Sequence, residues 1–429
     1  MDICSIILSA GMGNRMSSDI PKPLHTISGK SMLQWVIDAN TAANIKKSII
    51  VIPENSELLK KTTSDFKTAI QPIALGTGDA VKKTVPLLKD FSGIILICFA
   101  DTPFINPQSL SKLIKAFNND TKLVISGFKK KEKNDYGKII FSKNNYPLEI
   151  IEQKDADLKG IHSYFCNGGI MAIHSSALKY LNKIEKNSIT NEYYLTDLVK
   201  ILNQKNKEIA FVEIHEKEIL GVNDQIDLSI AEKIAQTSLR KEAMLKGVKL
   251  VDPDTVFLNF DTNIGKNVII HPNVVFGKNV NIGSSVEIKS FSHIEDCEIQ
   301  ENCVIGPFAR IRGHSILGKG SKIGNFVEIK KSNLDKNVKI NHLSYVGDSE
   351  IGTSTNIGAG TITCNYDGQN KNQTKIGKNS FIGSNSTIIA PIKIGNNVTM
   401  GAGSVFNKDI PDNTLSIGRA HQINKTKTT

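Results

Sequence analysis

At 429 residues the chain is long enough for two domains with full cores. Its 40% apolar content, with charge spread along the chain, is that of a soluble globular protein, and the net charge of +11 comes mostly from scattered lysines. No base-reading module accompanies that charge, so it reads as lysine-rich background or a preference for anionic small ligands, and nucleic acid is not expected as a partner. Six cysteines (Cys4, Cys98, Cys166, Cys297, Cys303, Cys364) show no paired CxxC spacing and sit mostly in apolar runs. They point to reduced, buried thiols of a cytoplasmic protein rather than to disulfides or zinc ligands. The first apolar run, Ile3 to Ala10, is strand-length and has no basic segment ahead of it. The expectation is no signal peptide, no transmembrane helix and no membrane partner.

The run at residues 3–8 (ICSIIL) is continuously apolar, as expected of a strand buried on both faces. It empties into Ser9-Ala10-Gly11-Met12-Gly13-Asn14-Arg15-Met16 and then Pro21-Lys22-Pro23-Leu24. A strand, a glycine loop and a helix start suit phosphate binding, because small residues let backbone N–H groups approach the anion; any tight βα turn uses such glycines too, and it is Arg15 and Lys22 after them that favour the anion. The loop lacks the Lys-Ser/Thr ending of a P-loop and the spacing of the dinucleotide fingerprint. Further runs at 48–52, 94–99 and 122–126 alternate with helical stretches at 31–43 and 108–118. That alternation predicts an α/β domain with a mainly parallel sheet. Phe99-Ala100-Asp101-Thr102-Pro103 ends one strand with a carboxylate, where ligands of open α/β sheets collect. Asp101 there suits a Mg²⁺ ion beside a triphosphate, or equally the cap of the next helix.

Gln225 to Lys246 reads as one helix, long enough to separate two domains, with Leu228, Ala231, Ala235 and Leu239 on one stripe and Glu232, Lys233, Arg240, Lys241 and Glu242 elsewhere. Gly247 is its stop signal. The expected domains are 1–225, a helical linker over 226–246, and 247–429.

From Leu258 to Phe406 a large apolar residue returns at a step of six, as in Leu258, Ile264, Ile270, Phe276, Ile282, Ile288 and Ile294, with single steps of five at Ile299, Leu334 and Ile351. This period fits neither a helix nor an alternating strand. It marks a coil of short stacked strands in which each such residue fills an axial slot. The phase fails between Ile357 and Ile376, so Thr361 to Lys371 is expected to loop out, and loops on a rigid solenoid are where function collects. Polar residues crowd the turns before it: Arg310, Arg312, Glu328, Lys330, Lys331, His342 and Tyr345.

Along the first half stand, in order, LSAGMGNRM with PKPLH, LGTGDA (75–80), ADTP (100–103), YGKI (136–139), IIEQKDA (150–156), NGGI (167–170), NEYYLTDLV (191–199) and GVND (221–224). The series resembles the sugar-nucleotide pyrophosphorylases, and Glu192 to Asp197 is especially like the bacterial uridyltransferases that make UDP-N-acetylglucosamine. The resemblance implies an α/β, Rossmann-like nucleotidyltransferase domain. It places Leu8, Ser9, Ala10 and Gly11 at the nucleotide, and Lys22 on its phosphates with Arg15 beside it. Gln71, Gly76 and Thr77 fall at uracil, and Gly137, Glu152 and Asn167 around the sugar. Phe99, Ala100 and Asp101 line the same site, where Asp101 and Asn223 match the Mg²⁺ pair. The chain departs from the family pattern at Phe99-Ala100, where Tyr-Gly is usual, at Ala74, where a second Gln is usual, and at Ser9, where Ala is common.

The coil resembles the left-handed parallel β-helix acyltransferases built from hexapeptide repeats. IGPFARIR (305–312), GNFVEIKK (324–331), NIGAGTITCNYDG (356–368) and Ile417-Gly418-Arg419 match the acetyltransferase half of the same bifunctional enzymes. The resemblance implies a homotrimer binding acetyl-CoA between adjacent coils, with His342 as general base and Glu328 orienting or charge-balancing the site. It places Arg312, Lys330, Tyr345 and Asn356 at the sugar phosphate and sugar, and Ala359, Asn365, Tyr366, Ser384, Ala402 and Arg419 along acetyl-CoA. Beside His342, Asn341 replaces a usual Gly and Ile340 a small residue, and this extra bulk is expected to bear on the ring. The implied activity is acetylation of glucosamine 1-phosphate, then uridylation of N-acetylglucosamine 1-phosphate with UTP, giving UDP-N-acetylglucosamine for cell-wall and lipopolysaccharide precursors. A single-function sugar-1-phosphate nucleotidyltransferase with a structural coil, or a catalytically idle scaffold, would leave the NYDG loop and His342 without a purpose.

Overall fold

The computed structural model describes residues 1–11, 13–132, 134–161 and 163–425, with only the backbone of Lys154 and Lys159; Met12 of the glycine loop lies outside the described residues. The chain separates into two compact units, Met1–Glu232 and Lys233–Thr429.

The first unit is built on a sheet whose strands run, in spatial order, Glu208–Glu213, Thr121–Lys129, Phe165–His174, Gly93–Phe99, Asp2–Leu8, Lys47–Pro53 and Lys67–Gln71. The strand expected at 3–8 is flanked by parallel neighbours on both sides, and its side chains alternate between two cores. Cys4 and Ile6 join the cluster holding Val81 and Leu198, while Ile7 joins the one holding Leu33, Val36 and Leu110. A continuous apolar run follows from that double burial. The sheet is mixed rather than mainly parallel. Phe165–His174 lies antiparallel between Gly93–Phe99 and Thr121–Lys129, and the hairpin of Lys138–Phe141 with Pro147–Ile151 adds to it. The sequence hides this strand because Gly168-Gly169 breaks its alternation. The register shifts between Asn167 and Met171, Gly169 has φ 75°, and a Cβ on Gly168 would lie 2.6 Å from Ser126 Oγ.

The helix Gln225–Leu245 carries the chain into the second unit, ending before Gly247 at φ 93°. Its buried face in that unit includes Arg240, which the stripe reading put elsewhere. Arg240 donates to Pro253 O at 2.8 Å and pairs with Asp254, so a charged residue sits inward because its guanidinium is satisfied there. Among the described residues the second unit is a parallel β-helix of three sheets with ten, eight and eight strands. The six-residue repeat becomes vertical register: Ile270, Ile288, Ile305, Ile323, Ile340, Ile357, Ile382 and Met400 stack in one ladder. All eight are buried, and truncating one such isoleucine to alanine costs about 2–5 kcal/mol. Left-handed corners separate the strands, filled by Asn267, Asn273, Asn279, Asn302 and Asn337 among others.

The excursion after Ile357 is narrower than the hexad phase suggests. Ile362–Cys364 is a regular coil strand, paired with Tyr345 on one side and with Thr387–Ile389 on the other. Thr363 stands in the axial slot, 1% exposed, and its hydroxyl accepts from Gly347 N at 2.8 Å. A satisfied threonine substitutes for an aliphatic residue there, which is why the apolar phase vanishes while the coil continues. The loop proper begins at Asn365 and rejoins the coil at Thr374.

Candidate active sites

In the first unit the chain leaves the sheet at Leu8. Ser9 N donates to Val51 O at 2.9 Å and Ala100 N to Leu8 O at 3.0 Å, so neighbouring strands are tied together at their carboxyl ends. The loop then folds over Lys22. Gly13 has φ 62°, and a Cβ there would lie 2.7 Å from Lys22 Cβ, so glycine is required for the approach. Lys22 Nζ reaches Asp101 Oδ2 at 2.5 Å and Asn223 Oδ1 at 3.1 Å. Leu8, Ser9, Gly11, Arg15, Lys22, Ala100, Asp101 and Asn223 thus line one cavity of about 460 Å³. Ala10 is buried at the loop's root, and the Phe99 ring lies 3.4 Å from where a Cβ on Gly169 would stand. The helix Pro107–Lys115 is capped by Asn106, whose Oδ1 accepts from Gln108 N; Asp101 is therefore free of that duty. Ser9 Oγ is buried without a hydrogen-bond partner among the described residues.

Two further groups form in the same unit. Gln71 ends the strand Lys67–Gln71 and donates from Nε2 to Gly76 O (3.1 Å) and Asp79 Oδ2 (2.9 Å). Gly76 and Thr77 are held by the NEYYLTDLV segment. Gly78 N donates to Tyr193 O, Leu195 N to Thr77 Oγ1, and a Cβ on Gly76 would lie 2.6 Å from Tyr193 O. Gly137, Glu152 and Asn167 also converge: Asn167 N donates to Gly137 O at 2.8 Å, and Glu152 Oε2 lies 3.6 Å from where a Cβ on Gly137 would be. Burial raises the Glu152 pKa above the usual carboxylate range, although the Thr196 hydroxyl, donating to Oε1 at 2.8 Å, pulls the other way.

In the second unit His342 ends the strand Lys339–His342, next in register to Asn325. Its Nδ1 lies 2.8 Å from Asn325 Oδ1. Ile340, the bulkier neighbour, points into the axis fully buried and so fills a slot rather than crowding the ring. A single corner of the coil carries a file of backbone bonds: Leu343 N to Asn325 O, Gly360 N to His342 O, Asn385 N to Ala359 O and Gly403 N to Ser384 O. Arg419 closes it by donating from Nη1 to Ala402 O. Asn325, His342, Ala359, Ser384 and Ala402 therefore occupy one position on successive coils, with Arg419 at the end.

Beside this file lies a cationic group. Arg312 pairs in register with Lys330, and its Nε donates to Glu328 Oε1 at 2.7 Å. Glu328 is thus the charge partner of Arg312, while the ring of His342 is held by Asn325. Burial, then Lys371, then Arg312 push the Lys330 pKa down. Tyr345 Oη stands over Gly347, where a Cβ would meet it at 2.5 Å and Asn365 Nδ2 at 2.9 Å. Asn365 is buried and donates to Asp348. Tyr366 is exposed on the loop and donates to Gly368 O. Asn356 follows Lys339 in register one coil on.

Asn325, Lys371, Asp79 and Thr196 were not singled out from sequence. All four stand in quoted stretches, Lys371 in the run that breaks the hexad phase, Asn325 in GNFVEIKK, Asp79 in LGTGDA and Thr196 in NEYYLTDLV, but the last three act through partners that only register and packing reveal.

A nucleotide-site loop on an α/β sheet and a polar file along a hexapeptide-type coil, in one chain, define a transferase with two active centres. Residues 5–180 match the MobA-like NTP transferase domain, and residues 296–331 and 373–408 match the bacterial transferase hexapeptide repeat. The chain belongs to the GlmU family of bifunctional proteins. It is 39% identical over 428 residues to the bifunctional protein GlmU of Zymomonas mobilis, covering 98% of this chain and 95% of that one. It is 42% identical over 423 residues to that of Wolbachia pipientis wMel, covering 98% and 97%. Against that of Paramagnetospirillum magneticum it is 40% identical over 421 residues, covering 97% and 94%.

Proposed function

We propose that the chain makes UDP-N-acetylglucosamine in two steps. The second unit acetylates glucosamine 1-phosphate from acetyl-CoA, and the first transfers UMP from UTP to the resulting N-acetylglucosamine 1-phosphate, releasing pyrophosphate. The observation that carries this reading is the corner file from Asn325 through His342 to Arg419, in a chain that also gathers Arg15, Lys22, Asp101 and Asn223 around one cavity.

In the acetyl transfer, His342 Nε2 takes a proton from the sugar amine as its nitrogen attacks the thioester carbonyl, and CoA leaves as the thiol. Asn325 accepts from Nδ1–H and so keeps Nε2 as the basic nitrogen. Arg312, Lys330 and Lys371 hold the sugar phosphate. Tyr345 and Asn356 contact the sugar, Asn365 and Tyr366 the acyl end of the cofactor. Ala359, Ser384 and Ala402 offer the extended cofactor a track of small residues toward Arg419, whose guanidinium takes a phosphate.

In the uridylyl transfer, the sugar-phosphate oxygen attacks the α-phosphorus in line and pyrophosphate departs. Arg15, Lys22 and the loop amides bind the phosphates, Gln71, Gly76 and Thr77 the base, and Gly137, Glu152 and Asn167 the sugar. Asp101 and Asn223 would hold Mg²⁺. Their oxygens already share one ammonium, and a pair of oxygen ligands suits an ion that keeps water and phosphate as its other ligands. Bound there, it would neutralise charge on the phosphate oxygens.

We assign a homotrimer. Phe291, Phe308, Phe326 and Leu343 form an exposed apolar row, 54%, 45%, 55% and 61% accessible, beside the His342 corner. The three phenylalanines stack at 4.9 and 5.1 Å and keep left-handed backbones that bulky residues rarely adopt, as expected of a row that another coil covers. Five of the six cysteines are buried, which fits a cytoplasmic protein. Among the described residues no helix is long and apolar enough to cross a membrane.

The test is the coupled reaction. Glucosamine 1-phosphate, acetyl-CoA and UTP with Mg²⁺ should yield free CoA thiol, pyrophosphate and UDP-N-acetylglucosamine. Thiol release without any nucleotide sugar would leave acetylation alone, and nucleotide sugar formed only when N-acetylglucosamine 1-phosphate is supplied would leave uridylyl transfer alone.

A further inference from the structure

Gln71 is 4% exposed, and its carboxamide is held by two acceptors. Nε2 donates one proton to Gly76 O at 3.1 Å and the other to Asp79 Oδ2 at 2.9 Å. A carboxylate can only accept, so turning the amide over would set Oε1 against Oδ2, acceptor facing acceptor, in a buried place. Lys83 Nζ lies 3.4 Å from the other oxygen of Asp79, which is itself 8% exposed. The Gln71 Oε1 makes no hydrogen bond among the described residues.

We propose that Asp79 positions the base-selecting side chain, by fixing the Gln71 amide with its oxygen toward the base. The inference rests on the uridylyl-transfer reading and deepens it. An acceptor held against N3 of the base is matched by a pyrimidine bearing an N3–H donor, as uracil and thymine do. Cytosine presents a lone pair at N3 and meets Oε1 repulsively. The second Gln of the family pattern is Ala74 here, so Gln71 is the side-chain amide that carries the discrimination. Asp79 acts on the base only through Gln71 and is a positioning residue.

The experiment compares kcat/KM for UTP and CTP, with N-acetylglucosamine 1-phosphate and Mg²⁺, in the full-length protein and in Asp79→Ala and Asp79→Asn. Asp79→Ala frees the amide to rotate, and the UTP:CTP ratio is expected to fall by at least about tenfold, through a gain with CTP as well as a loss with UTP. Asp79→Asn keeps an oxygen that can accept from Nε2 and is expected to restore most of the ratio. Partial misfolding lowers both nucleotides alike, so the ratio is its own control; Asp79→Ser replaces Asp79→Ala if the latter does not fold. A ratio in Asp79→Ala within about twofold of the parent overturns the role of Asp79 while leaving uridylyl transfer standing. A parent protein that uses neither nucleotide overturns the reading beneath it.

Discussion

The contact between Asn325 and His342 makes a quantitative demand on the acetyl transfer. The imidazole is exposed, and the 2.8 Å bond from Nδ1 to Asn325 Oδ1 is its one side-chain tether among the described residues. A neutral ring carries its proton on either nitrogen, and only the form with the proton on Nδ1 leaves Nε2 free to take one from the amine. A hydrogen bond of this kind contributes about 0.5–1.5 kcal/mol net, which is roughly a two- to tenfold bias in tautomer and orientation. Asn325→Ala is therefore expected to lower kcat for CoA release by roughly two- to tenfold, with little change in KM for acetyl-CoA. His342→Ala, which removes the proposed base, should cost about 10²–10⁴-fold. Asn325→Asp keeps an oxygen that accepts from Nδ1–H and should retain most of the parent's kcat. The assay is thiol release, with uridylyl transfer by the same preparations as the internal control. An Asn325→Asp variant as slow as Asn325→Ala would refute the tether, as would an Asn325→Ala variant with unchanged kcat.

Three other outcomes follow from the geometry. Burial raises the Glu152 pKa, so its stabilising contribution is complete below the unfolded value and lost as pH rises through the folded one. Glu152→Gln keeps an acceptor for Thr196 but does not titrate, so its melting temperature relative to the parent should improve from pH 4 to pH 8, and a flat difference would contradict this. Lys22→Met empties the space between Asp101 and Asn223 of its ammonium. Calorimetric Mn²⁺ affinity without nucleotide should then tighten severalfold even as KM for UTP rises, and unchanged affinity would show that Lys22 does not compete with a cation. Thr363→Val strands the buried Gly347 N–H and should destabilise the coil by about 1–3 kcal/mol in urea titration, despite a better match to the apolar slot. A variant as stable as the parent would mean that the hydroxyl is dispensable.

What could be read from the sequence, and what could not, divides along a physical line. The coil was legible because its ladder sets the same requirement, a large apolar side chain in an axial slot, on every turn, so the constraint recurs at a fixed spacing. The phase disappears at Thr363 because a hydroxyl satisfied by Gly347 N–H meets that requirement by another chemistry. The first strand was legible because both its faces are buried, whereas Phe165–His174 was hidden by the glycines of its bulge. At Asp101 the spacing left a metal ligand and a helix cap equally possible, and the cap proved to belong to Asn106, five residues on.

Asn325 and Asp79 stand on the other side of that line. Each stands inside a motif that gives it no role of its own, and its importance exists only through a partner. Asn325 meets His342 because the ladder pairs those two positions, and Asp79 meets Gln71 because a helix begins beside a strand end. The first relation follows from the coil phase once the steps of five are placed, since register then assigns every polar residue its vertical neighbours. In a repeat fold a catalytic residue announced by a motif therefore names its positioning partner one coil away. The α/β unit has no such ruler, and the Asp79–Gln71 contact had to be seen.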